Sequence, residues 1–210
     1  MGKYFDELNL LFNNEKLNEL REYGINNNVP IIKNDGLALL LSIIRLKNVK
    51  RVLEIGTAIG YSSISMALEN EDIYIDTIER NEKMYQQAVK NINDFELEKR
   101  INVIFSDALE VDEKSLAYYD LIFIDAAKAQ YIKFFEKFTP NLLPGGVVFT
   151  DNLLFHGLEE VPREEIESKN VRALVRKIDR YNNYLKDIEG FKTTFIEVGD
   201  GVALSVRKGE

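Results

Sequence analysis

Two short runs gather oxygen ligands: Ile124-Asp125-Ala126-Ala127-Lys128 and Thr150-Asp151-Asn152. Each acid follows an apolar run that reads as a strand, residues 121–124 and 147–150, so Asp125, Asp151 and Asn152 are expected together at the carboxyl edge of neighbouring strands. Two carboxylates and an amide are hard donors suited to Mg²⁺, Ca²⁺ or Mn²⁺, with coordination positions left for water and substrate, and zinc is a poor match. The same Asp-Asn pair equally fits a turn and helix-cap signal. Lys128 stands three residues after Asp125, within or just before the first turn of the next helix, where its ammonium can fold back toward such a site. A nearby cation and partial burial lower a lysine's pKa, which makes Lys128 the candidate base, although most lysines are simply solvated.

A third run, Glu54-Ile55-Gly56-Thr57-Ala58-Ile59-Gly60-Tyr61-Ser62, joins the first strand to a helix. Its two glycines let backbone amides approach a ligand at a helix start. It is neither the Gly-Lys-Ser/Thr phosphate loop nor the full dinucleotide fingerprint, so phosphate is not implied. Glu79 ends the second strand, where a carboxylate can accept two hydrogen bonds from a ribose diol. Taken singly, the glycines suit a tight turn and Glu79 an ordinary helix start. Their joint placement on a first βαβ unit, with Ser106-Asp107-Ala108 after the third strand to flank an adenine, points to S-adenosylmethionine.

The elements that must position these residues follow from periodicity. Strand-like runs at 52–55, 73–78, 101–105, 121–124 and 147–150 alternate with helical runs at 61–68, 81–93 and 129–138, which predicts a parallel, doubly wound α/β sheet. Before them lies a helical preface. Tyr4, Leu8, Leu11 and Phe12, then Leu17, Leu20 and Tyr23, recur at helical spacing; Asn14 reads as an N-cap and Gly24 as the residue ending that second helix. An Asn-rich loop with Pro30 leads to an apolar helix over 36–46. After Asp151 a polar loop precedes a helix over 171–185, and runs 193–198 and 202–207, joined by Gly199-Asp200-Gly201, predict a hairpin. A single domain over 1–210 is expected, with the preface over 1–48 and the core over 49–210.

Composition closes most other chemistries. The 210 residues, 45% hydrophobic, can bury a sizeable core, and the absence of cysteine excludes disulfides, thiolate zinc sites and cysteine nucleophiles. One histidine, His156, cannot build a multi-histidine metal site, and as a loop residue it reads as solvated and outside the catalytic set. The start shows no apolar leader segment after a basic stretch and no run of about 18 apolar residues occurs, so no membrane partner and a cytoplasmic location are expected. A net charge of -8 opposes indiscriminate attraction to phosphate backbones, while leaving room for a local basic patch.

With these residues in view, the chain resembles the class I S-adenosylmethionine-dependent methyltransferases, and among them the cation-dependent catechol/caffeoyl-CoA O-methyltransferase-like family. The likeness covers almost the full length and rests on Val52 to Ser62, Ile124 to Lys128, Thr150-Asp151-Asn152 and Gly199-Asp200-Gly201. It implies a Rossmann-like fold with a seven-stranded, mostly parallel sheet, a C-terminal antiparallel hairpin and N-terminal helices. It implies S-adenosylmethionine bound by Glu54, Gly56, Thr57, Ala58, Gly60, Ser62, Glu79, Asp107, Ala108 and Asp125, with Ser62 on the methionine carboxylate, Glu79 on the ribose and Asp107-Ala108 on the adenine edge. Mg²⁺ or another hard cation on Asp125, Asp151 and Asn152, catalytic roles for Lys128 and Asp125, and a homodimer with the N-terminal helices at its interface complete the set.

The acceptor divides within that family between small vicinal diols and nucleic acid. Catechols and 5-hydroxyuridine both present two neighbouring oxygens. Lys169, Arg172, Arg176 and Arg180 recur on one helical stripe opposite Val171, Leu174, Val175, Ile178 and Leu185, which fits a solvated face or contact with phosphates. The segments 49–62, 77–82, 123–128 and 177–182 most resemble the bacterial tRNA 5-hydroxyuridine methyltransferases. That resemblance implies tRNA as substrate and 5-methoxyuridine at the wobble position as product; a catechol/caffeoyl-type small-molecule acceptor is the alternative.

Overall fold

The computed structural model describes residues 14–154, 158 and 161–209. The helix expected over Tyr4 to Phe12 and the loop residue His156 lie outside the described residues. Asn14 caps α1 (Glu15–Asn26), its side-chain oxygen accepting from the Leu17 amide at 3.1 Å. Helix α2 (Asn34–Lys47) follows and buries Leu37, Leu40, Leu41 and Ile44, one stripe at helical spacing. Gly24 does not end α1: the helix runs two residues further and is closed at Asn27. A Cβ on Gly24 would meet Ile31 at 3.0 Å and Ile59 at 3.3 Å, so the glycine serves close approach of the helix to the following loop and to the glycine turn.

Strands β1 (Arg51–Ile55), β2 (Tyr74–Glu79), β3 (Ile101–Phe105), β4 (Tyr119–Ile124) and β5 (Leu142–Thr150) pair in parallel. The hairpin β6 (Phe191–Ile196) and β7 (Val202–Arg207) adds two antiparallel strands, giving the order β3-β2-β1-β4-β5-β7-β6. Helices α3 (Tyr61–Glu69), α4 (Glu82–Asp94), α5 (Tyr131–Phe138) and α6 (Lys169–Asp187) complete the doubly wound fold that the alternation predicts. The strand order reverses between β1 and β4, the switch point beyond whose carboxyl edge α/β folds bind ligands.

Strand periodicity divides the core into two layers. Val52, Ile75, Leu121, Phe123 and Phe149 face α1, α2 and α3, so the preface is packed directly on the sheet. Leu53, Ile55, Ile122, Ile124 and Val148 face α5 and α6. Tyr131, Phe134, Phe135 and Phe138 recur at helical spacing on the buried side of α5. On α6 the buried residues are Val175, Ile178, Tyr181 and Leu185; Val171 and Leu174, expected in the apolar face, are half-buried. Tyr181 joins the core through its ring and pairs its hydroxyl with Thr150 Oγ1 at 2.9 Å, satisfying both polar atoms. Among the described residues no helix is long and apolar enough to cross a membrane.

Phe135 packs edge-on against Tyr181, Tyr184 and Phe191, joining α5 to α6 and the hairpin. Phe135→Ala is expected to cost about 3–5 kcal/mol in urea denaturation, the range for deleting a buried aromatic ring. A loss below about 1 kcal/mol would show that this layer contributes little.

Candidate active site

The site begins with a backbone contact. Gly56, the first residue past β1, has φ +104°, and a Cβ there would sit 2.0 Å from the Asp125 carbonyl oxygen past β4. Only glycine lets these two strand ends come together. Gly60, at φ +83°, starts α3 with no side-chain cap, so the first amides of that helix are left for a ligand. Between them Ala58 also has a positive φ, +47°, and its amide donates to Glu79 Oε2 at 2.9 Å. Glu79 Oε1 accepts from the Asn81 amide at 2.7 Å. Two backbone donors therefore hold the Glu79 carboxylate in place and leave its remaining lone pairs for a ligand.

These residues line a cavity of about 470 Å³ that brings together Gly56, Thr57, Ala58, Ser62, Glu79, Asp107, Ala108, Asp125, Lys128 and Asn152. Asp107 is held by the Leu109 amide at 2.9 Å and approached by Arg80 at 3.4 Å. Of the predicted binding residues, Glu54 and Gly60 do not line the cavity. Strand alternation turns Glu54 to the α3 side of β1, where it is fully buried and accepts hydroxyl hydrogen bonds from Ser62, Ser63 and Thr77. Burial pushes its pKa up to about 7 despite those three donors.

On the opposite wall Asn152 adopts φ +65°, and its side-chain amide donates to Asp125 Oδ1 at 2.7 Å. Asp151 lies just behind, 2% exposed, with Oδ1 accepting from the Asn152 amide. Burial, then the neighbouring Glu54, raises Asp125; burial, then Asp125 itself, raises Asp151. Lys128 opposes both rises. The segment is held from two sides. Tyr131 donates its hydroxyl to the Asp151 carbonyl at 3.0 Å, while Leu153 and Leu154 amides donate to the Gly201 and Asp200 carbonyls. Asp200 in turn pairs with Lys33 at 2.6 Å. The Gly199-Asp200-Gly201 turn thus serves as a clamp on Asp151-Asn152 as well as a hairpin connection.

Two buried carboxylates, Asp125 raising the pKa of Asp151, with the Asn152 side-chain amide against them, offer hard oxygen donors that fit a divalent cation. The chain matches the family model described as O-methyltransferase over residues 9–208. The chain belongs to the O-methyltransferase family. A crystal structure of a Staphylococcus aureus protein, named provisionally as a caffeoyl-CoA O-methyltransferase, is 43% identical with a TM-score of 0.92 and 98% of each chain covered. The caffeoyl-CoA O-methyltransferase of Populus kitakamiensis is 29% identical over 92% of this chain and 86% of its own length. The O-methyltransferase TomG of Streptomyces achromogenes, solved in complex with SAM, is 26% identical with a TM-score of 0.80, covering 98% and 95% of the two chains.

This O-methyltransferase also builds its cavity from residues that motif reading did not single out. Pro30, Ile31 and Ile32, in the loop between α1 and α2, form one wall, and Tyr61, Met84, Gln130 and Phe134 line others. An apolar pair inside a polar, asparagine-rich loop was the available signal for the first of these. The basic stripe on α6 is not uniform: Lys169, Arg176 and Arg180 are exposed, whereas Arg172 is half-buried and donates to the Ile166 carbonyl at 2.9 Å. Arg172 therefore ties down the segment before α6 and does not belong to a purely solvated face.

Gly56→Ala and Gly145→Ala separate backbone strain from steric clash in this O-methyltransferase. Both glycines have positive φ, but a Cβ on Gly145 meets nothing within 4 Å. Gly145→Ala is expected to cost about 1–2 kcal/mol from φ alone, and Gly56→Ala clearly more. Equal losses in chemical denaturation would show that the β1–β4 contact can relax.

Proposed function

We propose that this chain is a divalent-cation-dependent O-methyltransferase that moves the methyl group of S-adenosylmethionine to one of two neighbouring oxygens on a planar acceptor. The observation that carries this reading is that Asp125 and Asn152 line the cavity whose other wall holds Glu79 and the start of α3, with Asp151 directly behind them. The SAM held by the Streptomyces relative supports the cofactor. Glu79 accepts from the ribose hydroxyls with its free lone pairs, Asp107 and Ala108 flank the adenine, and the α3 start receives the methionine carboxylate. Asp125, Asp151 and Asn152 would hold the cation. Bound there, it would supply Lewis-acid activation that lowers the pKa of an adjoining hydroxyl, and the cofactor would supply an electrophilic sulfonium methyl.

Lys128, half-buried on the cavity wall, would first release its ammonium proton to water, a loss that a cation on the neighbouring carboxylates would favour, and the neutral amine then takes the proton of the acceptor hydroxyl at Nζ. The oxygen–carbon bond forms as the carbon–sulfur bond breaks in line, releasing S-adenosylhomocysteine and a methyl ether, and Lys128 returns its proton to water. Positioning is the main contribution of the chain, since effective-molarity effects reach roughly 7–11 kcal/mol in well-oriented reactions.

A small o-diphenol of the caffeoyl type is the first reading of the acceptor, supported by the names of the relatives. A second reading, 5-hydroxyuridine in tRNA, is favoured by α6. That helix packs on the Lys128–Gln130 turn at the cavity rim and carries exposed Lys169, Arg176 and Arg180. A further surface hollow of about 370 Å³ is lined by Lys169, Arg172, Ala173 and Arg176, a setting that suits a phosphate group.

Asp151→Ala is expected to lower methyl transfer by about 10²-fold or more, beyond the 10–100-fold typical of losing an outer partner, and EDTA should mimic it until Mg²⁺ is restored. Full activity after exhaustive chelation would remove the cation from the mechanism. The acceptor is decided by assaying caffeoyl-type diphenols against tRNA containing 5-hydroxyuridine, alongside nucleoside mass spectrometry of tRNA from cells lacking the protein. Under the tRNA reading, joint Arg176→Glu and Arg180→Glu weakens tRNA binding and flattens its salt dependence by about one log–log unit per lost phosphate contact. Unchanged binding across salt concentrations leaves α6 as a solvated face.

A further inference from the structure

Glu54 is a fully buried carboxylate whose two oxygens both accept from side-chain hydroxyls. Ser62 Oγ donates to Oε1 at 2.5 Å; Ser63 and Thr77 donate to Oε2. Thr77 spends its proton on Glu54, so the 2.6 Å contact between Thr77 and Thr57 hydroxyls has Thr57 as donor. The Ser62, Ser63 and Thr77 protons are therefore oriented toward the carboxylate, and the Thr57 proton toward Thr77. Ser62 is the member of the group that both touches Glu54 and lines the cavity at the start of α3.

A conflict of hydrogen-bond polarity follows. The start of α3 combines a positive helix end with amides that lack partners, and the anionic group of S-adenosylmethionine is its carboxylate, so electrostatics directs that group here. A carboxylate accepts and never donates. Ser62 has one proton, already committed to Glu54. If Ser62 turns that proton to the ligand, Glu54 Oε1 is left without a donor in a site closed to water, at the cost of an unsatisfied buried anion.

We propose that Glu54 is a proton-accepting positioning residue: cofactor binding turns the Ser62 hydroxyl from Glu54 to the ligand carboxylate, and Glu54 takes up a proton from solvent and donates it to Ser62 Oγ. The Ser63 and Thr77 bonds to Oε2 persist, and the proton count balances as one proton taken from solvent per cofactor bound. The surroundings of Glu54 favour this state. Burial is the main push toward the protonated form, the three hydroxyl bonds oppose it, and the negative charge of Glu79, at the end of β2, adds to it. This inference rests on the cofactor assigned under Proposed function.

Calorimetric titration with S-adenosylhomocysteine, in buffers of different ionisation enthalpy and with Mg²⁺ present, reads the proton directly. Because free Glu54 sits near pH 7, uptake should be about half a proton there and approach one about a pH unit higher, with Kd rising up to about tenfold per pH unit over that range. Glu54→Gln supplies an amide that donates to Ser62 and an oxygen that accepts from Ser63 and Thr77, so its uptake disappears and its Kd no longer varies in this window. Ser62→Ala, which removes the relay and keeps the carboxylate, must also lose the uptake. Binding by the parent without proton uptake, or equal uptake in both variants, overturns the inference while leaving the cofactor reading intact. No binding of S-adenosylhomocysteine by the parent overturns both.

Discussion

The parallel hydrogen-bond ladder does not stop where the strands stop. The Gly56 amide donates to the Ile78 carbonyl, Asp125 to Ile55, Asp151 to Ile124 and Ser106 to Glu79, each at 3.0–3.1 Å. Each is the first residue past its strand, so the backbone register of the sheet is transmitted to the residues that line the site. Because parallel strands share one polarity, all of these residues emerge at the same edge. The cavity, the oxygen ligands and the start of α3 depend on this register, and the Gly56–Asp125 contact shows how tightly the two central strand ends are drawn together.

That geometry has an electrostatic consequence. Glu54, Glu79, Asp125, Asp151 and Asp200 are brought to one end of the sheet, and Glu54, Asp125 and Asp151 are all raised above the usual carboxylate range, first by burial and then by neighbouring acids. Lys33 and Lys128 compensate in part. An edge with this balance attracts cations. A divalent ion on the oxygen set and a sulfonium in the cavity would relieve it, so the charge pattern that strains the protein supports the chemistry proposed for it.

The periphery serves the centre. The β6–β7 turn holds Asp151-Asn152 through the Gly201 and Asp200 carbonyls, and its Gly199 amide donates to Asp35 Oδ2 near the start of α2. A single turn therefore links the C-terminal hairpin, the N-terminal helices and the candidate cation ligands. Helix α6 divides its surface similarly: Tyr181 anchors Thr150 from the inside, Arg172 holds the preceding segment, and Arg176 and Arg180 remain at the surface.

Local sequence determined the element order, the parallel sheet and its terminal hairpin, because strand runs of period two alternating with helical runs leave few packings open. It also determined the glycine turn and the grouping of Asp125, Lys128, Asp151 and Asn152, since residues just past parallel strands must share an edge. Other features required the assembled fold. Glu54 and Glu79 are both acids close to strand ends, yet alternation along β1 buries the former under α3, whereas the latter ends β2 and lines the cavity. Gly24 carries the composition of a helix end but lies within α1, because Ile31 and Ile59 leave no room for a side chain. The Pro30–Ile32 wall and the inward tie of Arg172 depend on segments distant in sequence or on half-burial that helical spacing does not encode. Periodicity specifies which face a residue occupies; only tertiary packing specifies what that face meets.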